Sequence, residues 1–406
     1  MLMPPEKQIP KSLEINEPVA KATSLSIERL RKLKGADNHV ATGLSGGVDS
    51  SLTAALLVEA GWDVEGLTLW LMKGEGSCCS DGLVDAAGIC EQLGIPHHVI
   101  DSRSTFEKEI INFLVDGYQQ GITPSPCSRC NRSVKFSVML DWAKQNRGIN
   151  RIATGHYARI RYAEESNIGL QLPFDSEGRN KLLRGKDKNK DQSYFLYDLE
   201  QEIMGRIVFP LGELTKAQTR MEALRYNLRT ATKPESQDLC LVEHYGSMKA
   251  FLNEYINPIK GKIMLDNGEV IGEHNGIEHF TIGQRKGIGV SWAEPLYVTK
   301  IDSKLNRIIV STKFTSGTYT FEVGEVNWIS IHPPEKEINL QVQFRYRSEP
   351  VEAKVIPIEA QKNDIDKKRP FRCIVKCLEK QFSITPGQAA VFYSGEVLLG
   401  GGIIQA

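Results

Sequence analysis

The sequence predicts an α/β protein in which a parallel sheet comes first and a β-barrel comes last. From His39 to about residue 160, apolar strands alternate with helices of about 10 to 15 residues, which is typical of a parallel sheet with helices on both faces. From about Ile256 the pattern changes to short alternating strands broken by DNG, HNG and TPG turns, as in small barrels. At 406 residues the chain is too long for one core. We expect four parts: an N-terminal arm (1–37), a parallel-sheet domain (38–232), a small central domain (233–312) and a barrel (313–406).

Apolar periodicity gives the elements of the first half in order. Strand VATGL follows His39, and helix SLTAALLVEAG ends at Gly61, the usual residue after a helix. The series continues with strand DVEGLTLWL, helix DGLVDAAGICEQLG, strand HHVID, helix TFEKEIINFLVDGYQQ, helix SVKFSVMLDWAKQN and strand RIATGHYARI. Residues 198–230 are expected to be helical. This alternation is Rossmann-like, and ligands of such sheets bind at the carboxyl ends of the strands.

Composition excludes several classes of protein. Fifty basic residues balance fifty acidic ones, so any contact with nucleic acid must be confined to local patches. Eight cysteines are too few for a disulfide scaffold and fit a reducing, cytoplasmic location. We find no apolar run of about 18 residues, which argues against a membrane span. The first 35 residues carry four glutamates and no apolar h-region, so we expect no secretory signal there but a flexible arm that ends in a short helix.

The turn GLSGGVDSS, residues 43–51, lies after a strand and before a helix. Gly46 and Gly47 allow backbone amides to approach an anion, Ser45 and Ser50 offer hydroxyls, and the helix N-terminus adds positive potential. The Gly-Lys-Ser/Thr ending of a Walker-type loop is missing. Asp49 has two open interpretations, a helix cap or a contact to Mg²⁺ on pyrophosphate. The block SGGVDS resembles the pyrophosphate-loop ATPases, which split ATP between the α- and β-phosphates to adenylate a substrate.

Later blocks narrow the resemblance to the tRNA-specific 2-thiouridylase family, from about residue 38 to the C-terminus. The blocks are ATGHYAR (153–159), GKDKNKDQSYFLY (185–197), KPESQDLC (233–240), GEHNGIEHFTIGQRKGIG (272–289), FRYR (344–347) and TPGQAAVFYSGEVLLGGG (385–402). The resemblance implies an adenine nucleotide alpha hydrolase-like catalytic domain, a central domain and a β-barrel. It also implies an ATP-dependent sulfurtransferase that adenylates the C2 oxygen of the wobble uridine and replaces it with sulfur from a cysteine persulfide.

The same resemblance implies roles for individual residues. Cys240 would carry the persulfide, and Cys130 would be the nucleophile that resolves it. The residues implied for ATP are Gly43, Leu44, Ser45, Gly46, Gly47, Val48, Asp49, Ser50, Leu69 and Gly155. The residues implied for tRNA are Ser125, Pro126, Cys127, His156, Lys190, Asp191, Gln192, Arg345, Tyr346 and Gln388. ATP and Mg²⁺ are the implied cofactors. The implied partners are the tRNAs for Lys, Glu and Gln and a sulfur donor such as a cysteine desulfurase or a sulfur relay protein.

Basic residues surround two of these regions. Arg129, Arg132, Lys135 and the start of the helix SVKFSVML are expected to lower the pKa of the Cys130 thiol. The window KLLRGKDKNK has five basic residues and one acid and is followed by aromatic residues. This pattern favours phosphate contacts that position RNA over a merely solvated surface.

The stretch TPSPCSRCNRSVKF departs from the family, because many members have Asp where this chain has Cys127. That Asp is a candidate general base, so its role does not carry over directly. Three thiols, Cys127, Cys130 and Cys240, open an alternative in which they ligate a [4Fe-4S] cluster. A zinc site lacks a fourth ligand. A CxxC disulfide is also possible, although the reducing poise of the cytosol acts against its persistence. The remaining cysteines are expected to be packing or spectator residues: Cys78, Cys79, Cys90, Cys373 and Cys377.

Two other functions stay open at this point. One is a different adenylating tRNA modifier, which forms lysidine or thiolates another base. The other is a non-catalytic RNA-binding module with a degenerate ATP site, although the intact SGGVDS block argues against it.

Overall fold

The computed structural model describes residues 17–34, 37–73, 80–165, 172–235, 239–312, 317–358, 371–382 and 384–405. The expectations for the first 16 residues of the arm and for Cys78 and Cys79 lie outside these ranges. In the part of the chain that is described, no helix is long and apolar enough to cross a membrane.

The second half of the predicted arm is a packed helix of 18 residues, longer than the short helix expected at the end of the arm. Helix α1 spans Glu17–Lys34. Its Ile27 and Leu30 are buried in the same apolar cluster as Trp62, whose indole N–H donates to the Leu30 carbonyl at 3.1 Å. Burial of this apolar face explains why the segment is ordered.

The next elements follow the predicted alternation. They are β1 (His39–Gly43), α2 (Val48–Glu59), β2 (Asp63–Trp70), α3 (Ser80–Leu93) and β3 (His97–Asp101). Gly61 follows α2 with φ of +80°, which is the left-handed conformation that commonly ends a helix. β1 pairs in parallel with β2, and β2 in parallel with β3.

Two helical stretches follow, each interrupted by a π-helical segment. The first contains α4 (Arg103–Phe106), a π segment (Glu107–Ile111) and α5 (Asn112–Gln119). The second contains α6 (Pro126–Cys130), a π segment (Asn131–Phe136) and α7 (Ser137–Arg147). This second stretch begins with Pro126 at the first helical position, seven residues before the predicted start at Ser133. Cys130 therefore lies inside a helical stretch, whereas the sequence predicted that it precedes one.

The predicted strand RIATGHYARI is two strands in two sheets. β4 (Ile152–Ala153) joins the parallel sheet, whereas β5 (Ala158–Arg161) pairs with β6 (Lys181–Arg184). The region 198–230 is only partly helical, because β7 (Ile207–Val208) lies between α8 (Gln201–Met204) and α9 (Lys216–Arg225). β7 completes a five-stranded parallel sheet of order β3-β2-β1-β4-β7, which confirms the Rossmann-like domain.

The central part contains two short helices and a small sheet. The elements are α10 (Cys240–Tyr245), α11 (Met248–Tyr255), β8 (Gly261–Leu265), β9 (Val270–His274), β10 (Tyr297–Asp302) and β11 (Arg307–Ser311). The four strands form one sheet of order β10-β11-β8-β9. Its core includes Ile263, Val298 and Ile308.

The C-terminal barrel is attached to the parallel-sheet domain through hydrogen-bonded strands. It contains β12 (Thr318–Trp328), β13 (Ile338–Gln343), β14 (Val351–Ile358), β15 (Arg372–Gln381), β16 (Ala389–Ser394) and β17 (Val397–Ile404). Pairing of β12 with β17 closes these six strands into a barrel. β17 also pairs with β6, with Val397 opposite Leu183 and Leu398 opposite Leu182. The hairpin of β5 and β6 therefore fixes the barrel relative to the nucleotide loop.

Candidate active site

The nucleotide loop forms the turn between β1 and α2, at the carboxyl end of the middle strand of the parallel sheet. The Ser50 hydroxyl donates to the Gly47 carbonyl at 3.0 Å and accepts from the Ser45 amide at 3.2 Å. The 12-residue α2 begins directly after Gly47, so its positive end faces the loop. Amides, hydroxyls and helix end together make the arrangement that an anion site requires.

The glycines of the loop serve different purposes. Gly46 has φ of +71°, and a Cβ there would lie 2.8 Å from the Gly82 carbonyl oxygen, so the fold itself requires this glycine. At Gly47 the nearest atom to an added Cβ would be the Ser45 hydroxyl at 3.5 Å, an ordinary contact. Gly155 packs on the start of α2, because a Cβ there would lie 2.9 Å from the Asp49 carbonyl carbon. Gly47 is therefore the glycine whose missing side chain leaves space for a ligand.

Asp49 does not cap its helix. Gly47 is the N-cap residue, and no side chain caps it. The Asp49 carboxylate is held instead by the Lys216 ammonium at 2.7 Å to each oxygen and by the Tyr157 hydroxyl at 2.9 Å. A carboxylate at this place has the chemistry to hold Mg²⁺ on a polyphosphate, so the loop fits Mg²⁺ together with ATP.

Ion pairs connect Asp49 to residues outside the loop. The Lys216 ammonium also lies 3.3 Å from Glu235, and Lys190 donates to the same Glu235 carboxylate at 2.5 Å. Burial would raise the pKa of Glu235, but the hydrogen bond from Lys190 and the charge of Lys216 lower it to about 2. Lys233 donates to the Gly46 carbonyl at 3.1 Å and pairs with Asp85.

Sequence reasoning missed Lys216, Lys233 and Glu235. Lys233 and Glu235 belong to the block KPESQDLC, which drew attention to its cysteine only. Lys216 is the first residue of a helix with a capping box formed by Thr215 and Gln218. The pattern of a capping box was available in the sequence, but it indicates only a helix start and not what that helix faces.

Cys130 and Cys240 contact the same apolar cluster beyond the end of β2. Cys130 is a buried member, and Cys240, the first residue of α10, packs against it together with Leu69. Neither cysteine is in a disulfide. Two of the three cations expected to act on Cys130 form ion pairs, Arg129 with Glu109 at 2.9 Å and Arg132 with Asp198 at 3.1 Å. The fold thus brings the two cysteines of the predicted sulfur chemistry to one cluster.

Cys127 faces different groups. Burial raises the pKa of its thiol, and the charge of Lys135 offsets this increase only in part. Burial also raises the pKa of the Tyr194 and Tyr346 phenols, and the nearby Cys127 adds to both increases. A neutral thiol next to two tyrosines does not provide the anionic base that an aspartate would provide at this position.

The cysteines are not arranged as a three-ligand site. Within the described ranges, no group of three His, Cys, Asp or Glu side chains is placed to hold a metal ion. Cys130 and Cys240 contact the apolar cluster, and Cys127 is not among the residues of that cluster. This arrangement does not fit a cluster held by the three thiols.

The barrel meets the parallel-sheet domain at Thr123, just before the helix Pro126–Cys130 (the cysteine helix), and at Phe195. The Gln388 side chain donates to the Thr123 carbonyl at 2.8 Å, and the Thr123 amide donates to the Pro386 carbonyl at 3.2 Å. The Tyr346 ring lies 4.4 Å from the Phe195 ring, measured between centroids. The turn that carries Arg345 and Tyr346 is held by the Gln343 amide, which donates to both backbone carbonyls at 3.1 and 2.7 Å. Ser125 follows Thr123 by two residues, so the start of the cysteine helix lies close to this contact with the barrel.

His156 follows β4 at the carboxyl edge of the sheet. Its ring lies 5.6 Å from the Phe136 ring and 5.7 Å from the Phe209 ring, and its Nδ1 is 2.8 Å from the Thr154 hydroxyl. Burial, with a contribution from the charge of Lys135, lowers the pKa of His156 to about 3. The imidazole is therefore neutral at pH 7 and can offer a hydrogen bond but no charge.

Residues 190–192 form ion pairs and hydrogen bonds with other parts of the protein. Lys190 pairs with Glu235, and the Gln192 side chain accepts from the Tyr157 amide at 2.9 Å. The Asp191 carboxylate accepts from Arg184, the Gly185 amide and Ser193, at distances between 2.9 and 3.0 Å. A direct RNA contact by Asp191 would have to break one of these bonds. The neighbouring Lys186 and Lys188 are exposed.

Comparison with known proteins gives matches over most of the chain. Three family models match: "tRNA methyl transferase HUP domain" at residues 38–244, "tRNA methyl transferase PRC-barrel domain" at 249–312 and "Aminomethyltransferase beta-barrel domain" at 318–404. The tRNA-specific 2-thiouridylase MnmA of Prochlorococcus marinus strain MIT 9303 is 63% identical over 388 residues, which cover 96% of this chain and 95% of that protein. MnmA of Synechococcus sp. strain CC9605 is 61% identical over 393 residues, 97% of this chain and 100% of that protein.

Proposed function

Because the chain belongs to the tRNA-specific 2-thiouridylase family, we propose that it is a tRNA-uridine 2-sulfurtransferase acting on the wobble uridine. The word "methyl" in the family-model names does not match the site, since a loop built for a polyphosphate serves ATP-dependent activation. The same site does not favour a non-catalytic RNA-binding module, because Gly47 keeps the loop open for a ligand.

ATP on the loop supplies the activation step. The C2 oxygen of uracil is a poor leaving group. When this oxygen attacks the α-phosphate of ATP, pyrophosphate is released and the C2 oxygen becomes adenylated. The adenylated oxygen can then leave C2 as part of AMP. Mg²⁺, when bound with ATP, supplies positive charge on the phosphates, and Asp49 is the carboxylate that would hold it. Leu69 and Gly155, at the same edge of the sheet, are proposed to line the adenosine end of the nucleotide site.

Sulfur transfer is proposed to use Cys240 and Cys130. The terminal sulfur of a Cys240 persulfide attacks C2, AMP departs with the oxygen, and a Cys240–S–S–C2 linkage remains. The Cys130 thiolate then attacks Cys240 Sγ, which frees the C2 thiocarbonyl and leaves a Cys130–Cys240 disulfide. A dithiol reductant restores both thiols with two electrons, and a sulfur donor reloads Cys240. The observation that carries this route is the packing of both cysteines against one apolar cluster.

The [4Fe-4S] alternative is not favoured by the arrangement of the three cysteines described above, and no step is derived through it. For the RNA partner we propose the tRNAs for Lys, Glu and Gln, and for the sulfur donor a cysteine desulfurase or a sulfur relay protein. The reaction is proposed to take place in the cytoplasm, where a reducing poise keeps the thiols reduced between cycles.

Nucleoside mass spectrometry of bulk tRNA tests this function. A strain lacking the gene should lose wobble 2-thiouridine, and the wild-type gene should restore it while other modified nucleosides stay unchanged. Unchanged 2-thiouridine in the deletion strain, or loss of lysidine or of another thiolated base in its place, would contradict the proposal.

A further inference from the structure

The nucleotide loop has too little positive charge for its proposed ligand. Among Ser45–Ser50 the one charged side chain is Asp49, which is negative. The loop lacks the lysine that ends a Walker-type loop, yet the phosphates of ATP carry several negative charges. Amides and a helix end provide only partial charges. Full positive charges must therefore reach the phosphates from elsewhere in the chain.

Lys216 contacts the loop although it lies 167 residues after Asp49 in the sequence. Its ammonium touches both Asp49 oxygens at 2.7 Å and lies 3.3 Å from Glu235. Its side chain is 11% exposed, and the Lys216 amide donates to Asp187 at 2.9 Å, so both ends of the residue are held. If Asp49 binds Mg²⁺, the Lys216 ammonium loses its carboxylate partner. The ammonium can then bind a phosphate oxygen next to Asp49.

Lys233 reaches the loop at a different residue. Its ammonium donates to the Gly46 carbonyl at 3.1 Å and pairs with Asp85. A cation within hydrogen-bond distance of a loop carbonyl is also within reach of a phosphate bound by the neighbouring loop amides. Its side chain is 30% exposed, so water and ligands have access to it.

We propose that Lys216 and Lys233 bind the β- and γ-phosphates of ATP, Lys216 next to Asp49 and Lys233 next to Gly46. Each exchanges a carboxylate for a phosphate oxygen: Lys216 leaves Asp49, and Lys233 leaves Asp85. The two lysines thus perform, from outside the loop, the task that a lysine inside the loop performs in Walker-type proteins. This inference rests on the proposed use of ATP and names further residues of that same site.

The test compares the affinity of the full-length protein for three probes, Mg²⁺-ATP, inorganic pyrophosphate and AMP, by calorimetric titration. Lys233→Met should weaken ATP and pyrophosphate binding by about 10- to 100-fold, the range of one charge-assisted hydrogen bond, and leave AMP affinity unchanged. Asp85→Asn is the matched control, because it removes the partner of Lys233 but keeps the lysine. Its ATP affinity should be equal to or higher than that of the wild type.

Three results would overturn the inference. Lys233→Met could bind ATP as tightly as the wild type, or it could lose affinity for ATP and AMP equally. Asp85→Asn could also show the same loss of ATP affinity as Lys233→Met, which would mean that the ion pair has a structural role. Lys216→Gln should show the same selective loss. Since it uncovers two carboxylates, its melting temperature is measured as well; if it does not fold, Lys233→Met and Asp85→Asn still decide. A wild-type protein that forms 2-thiouridine while the lysine variants bind ATP normally would refute this inference and leave the proposed function intact.

Discussion

The nucleotide loop and the sulfur site are built in different ways. The loop is local: Ser45, Gly47 and Ser50 bond to one another within a single turn. The sulfur site is assembled from distant segments, since Cys130 and Cys240 meet through a shared apolar cluster. The barrel adds Gln388 at the start of the cysteine helix. Damage to one region should therefore leave the other working, and this independence can be tested.

The largest effect is expected at the two cysteines. Cys130→Ser and Cys240→Ser should each lower 2-thiouridine formation by about a thousandfold or more, because each removes a nucleophile. The tRNA-dependent release of pyrophosphate should persist, since the loop does not depend on these thiols. Pyrophosphate release and thiolation are measured in the same single-turnover reaction.

Cys127→Ser is the matched control, one helical turn before Cys130. It should keep thiolation within about tenfold of wild type, because the persulfide route needs no thiol at this position. Iron and acid-labile sulfide are measured in anaerobically purified protein alongside activity. Iron-loaded protein that loses both iron and thiolation in Cys127→Ser would replace the persulfide route with a cluster.

The next effect concerns the loop. Gly47→Val should abolish ATP use, by about a hundredfold or more, because the valine side chain enters the space left for phosphate. The protein should stay folded and keep its affinity for tRNA, since an added Cβ meets only the Ser45 hydroxyl at 3.5 Å. Gly46→Val, with φ of +71° and the Gly82 carbonyl at 2.8 Å, should instead destabilise the fold. Normal pyrophosphate release by Gly47→Val would be incompatible with this account.

Contact between the barrel and the cysteine helix should matter for thiolation alone. Gly387 has φ of +88°, and a Cβ there would lie 2.3 Å from the Ile122 side chain. Gly387→Val should displace the turn that carries Gln388 and lower thiolation by about 10- to 100-fold through misplacement of the uridine. ATP affinity, measured without tRNA, should not change. A parallel loss of ATP affinity would show that the two regions are not independent.

A smaller effect is expected for the exposed lysines of the block 186–190. Replacing Lys186 and Lys188 with Ala should weaken tRNA binding and reduce the slope of log affinity against log salt by about 0.7 to 0.9 per lost phosphate contact. Adding Lys190→Ala should change the slope less, because Lys190 is already paired with Glu235. An unchanged slope in the double variant would make these lysines an ordinary solvated surface.

The smallest effect concerns stability and not activity. The pKa of His156 is lowered to about 3 in the folded protein, so the unfolded chain binds this proton first as the pH falls below about 6.5. This residue should therefore reduce the free energy of unfolding by about 2 kcal/mol between pH 7 and pH 5. Denaturant titrations of wild type and His156→Gln should show a shallower pH dependence in the variant. Parallel curves would contradict the lowered pKa.

The sequence predicted the parts of the fold that depend on local pattern. Apolar periodicity and Gly61 identified β1, α2 and the strands that follow. The splitting of RIATGHYARI at Gly155 was not predictable, because both halves are apolar and only pairing with β6 assigns the second half to another sheet. The two-residue strand β7 carries too short a pattern to distinguish it from the helices around it.

The same division holds for the active site. The loop motif named its own residues, and family blocks named Cys130 and Cys240, but no periodicity shows that both contact one cluster. The contact of Lys216 with Asp49 could not be predicted, because the sequence does not show which residues the start of its helix faces. The sequence likewise does not show the ion pairs near Cys130, in which Arg129 pairs with Glu109 and Arg132 with Asp198.

The most direct test of the central claim, that Cys240 delivers the sulfur and Cys130 resolves it, follows the sulfur atom. Protein loaded with a ³⁴S persulfide and freed of excess sulfide is mixed with ATP and unmodified tRNA for one turnover, and its nucleosides and cysteine peptides are analysed by mass spectrometry. The account predicts ³⁴S in 2-thiouridine and a new Cys130–Cys240 disulfide, with neither product in Cys240→Ser. Unlabelled 2-thiouridine, or labelled product formed equally well by Cys240→Ser, would contradict it.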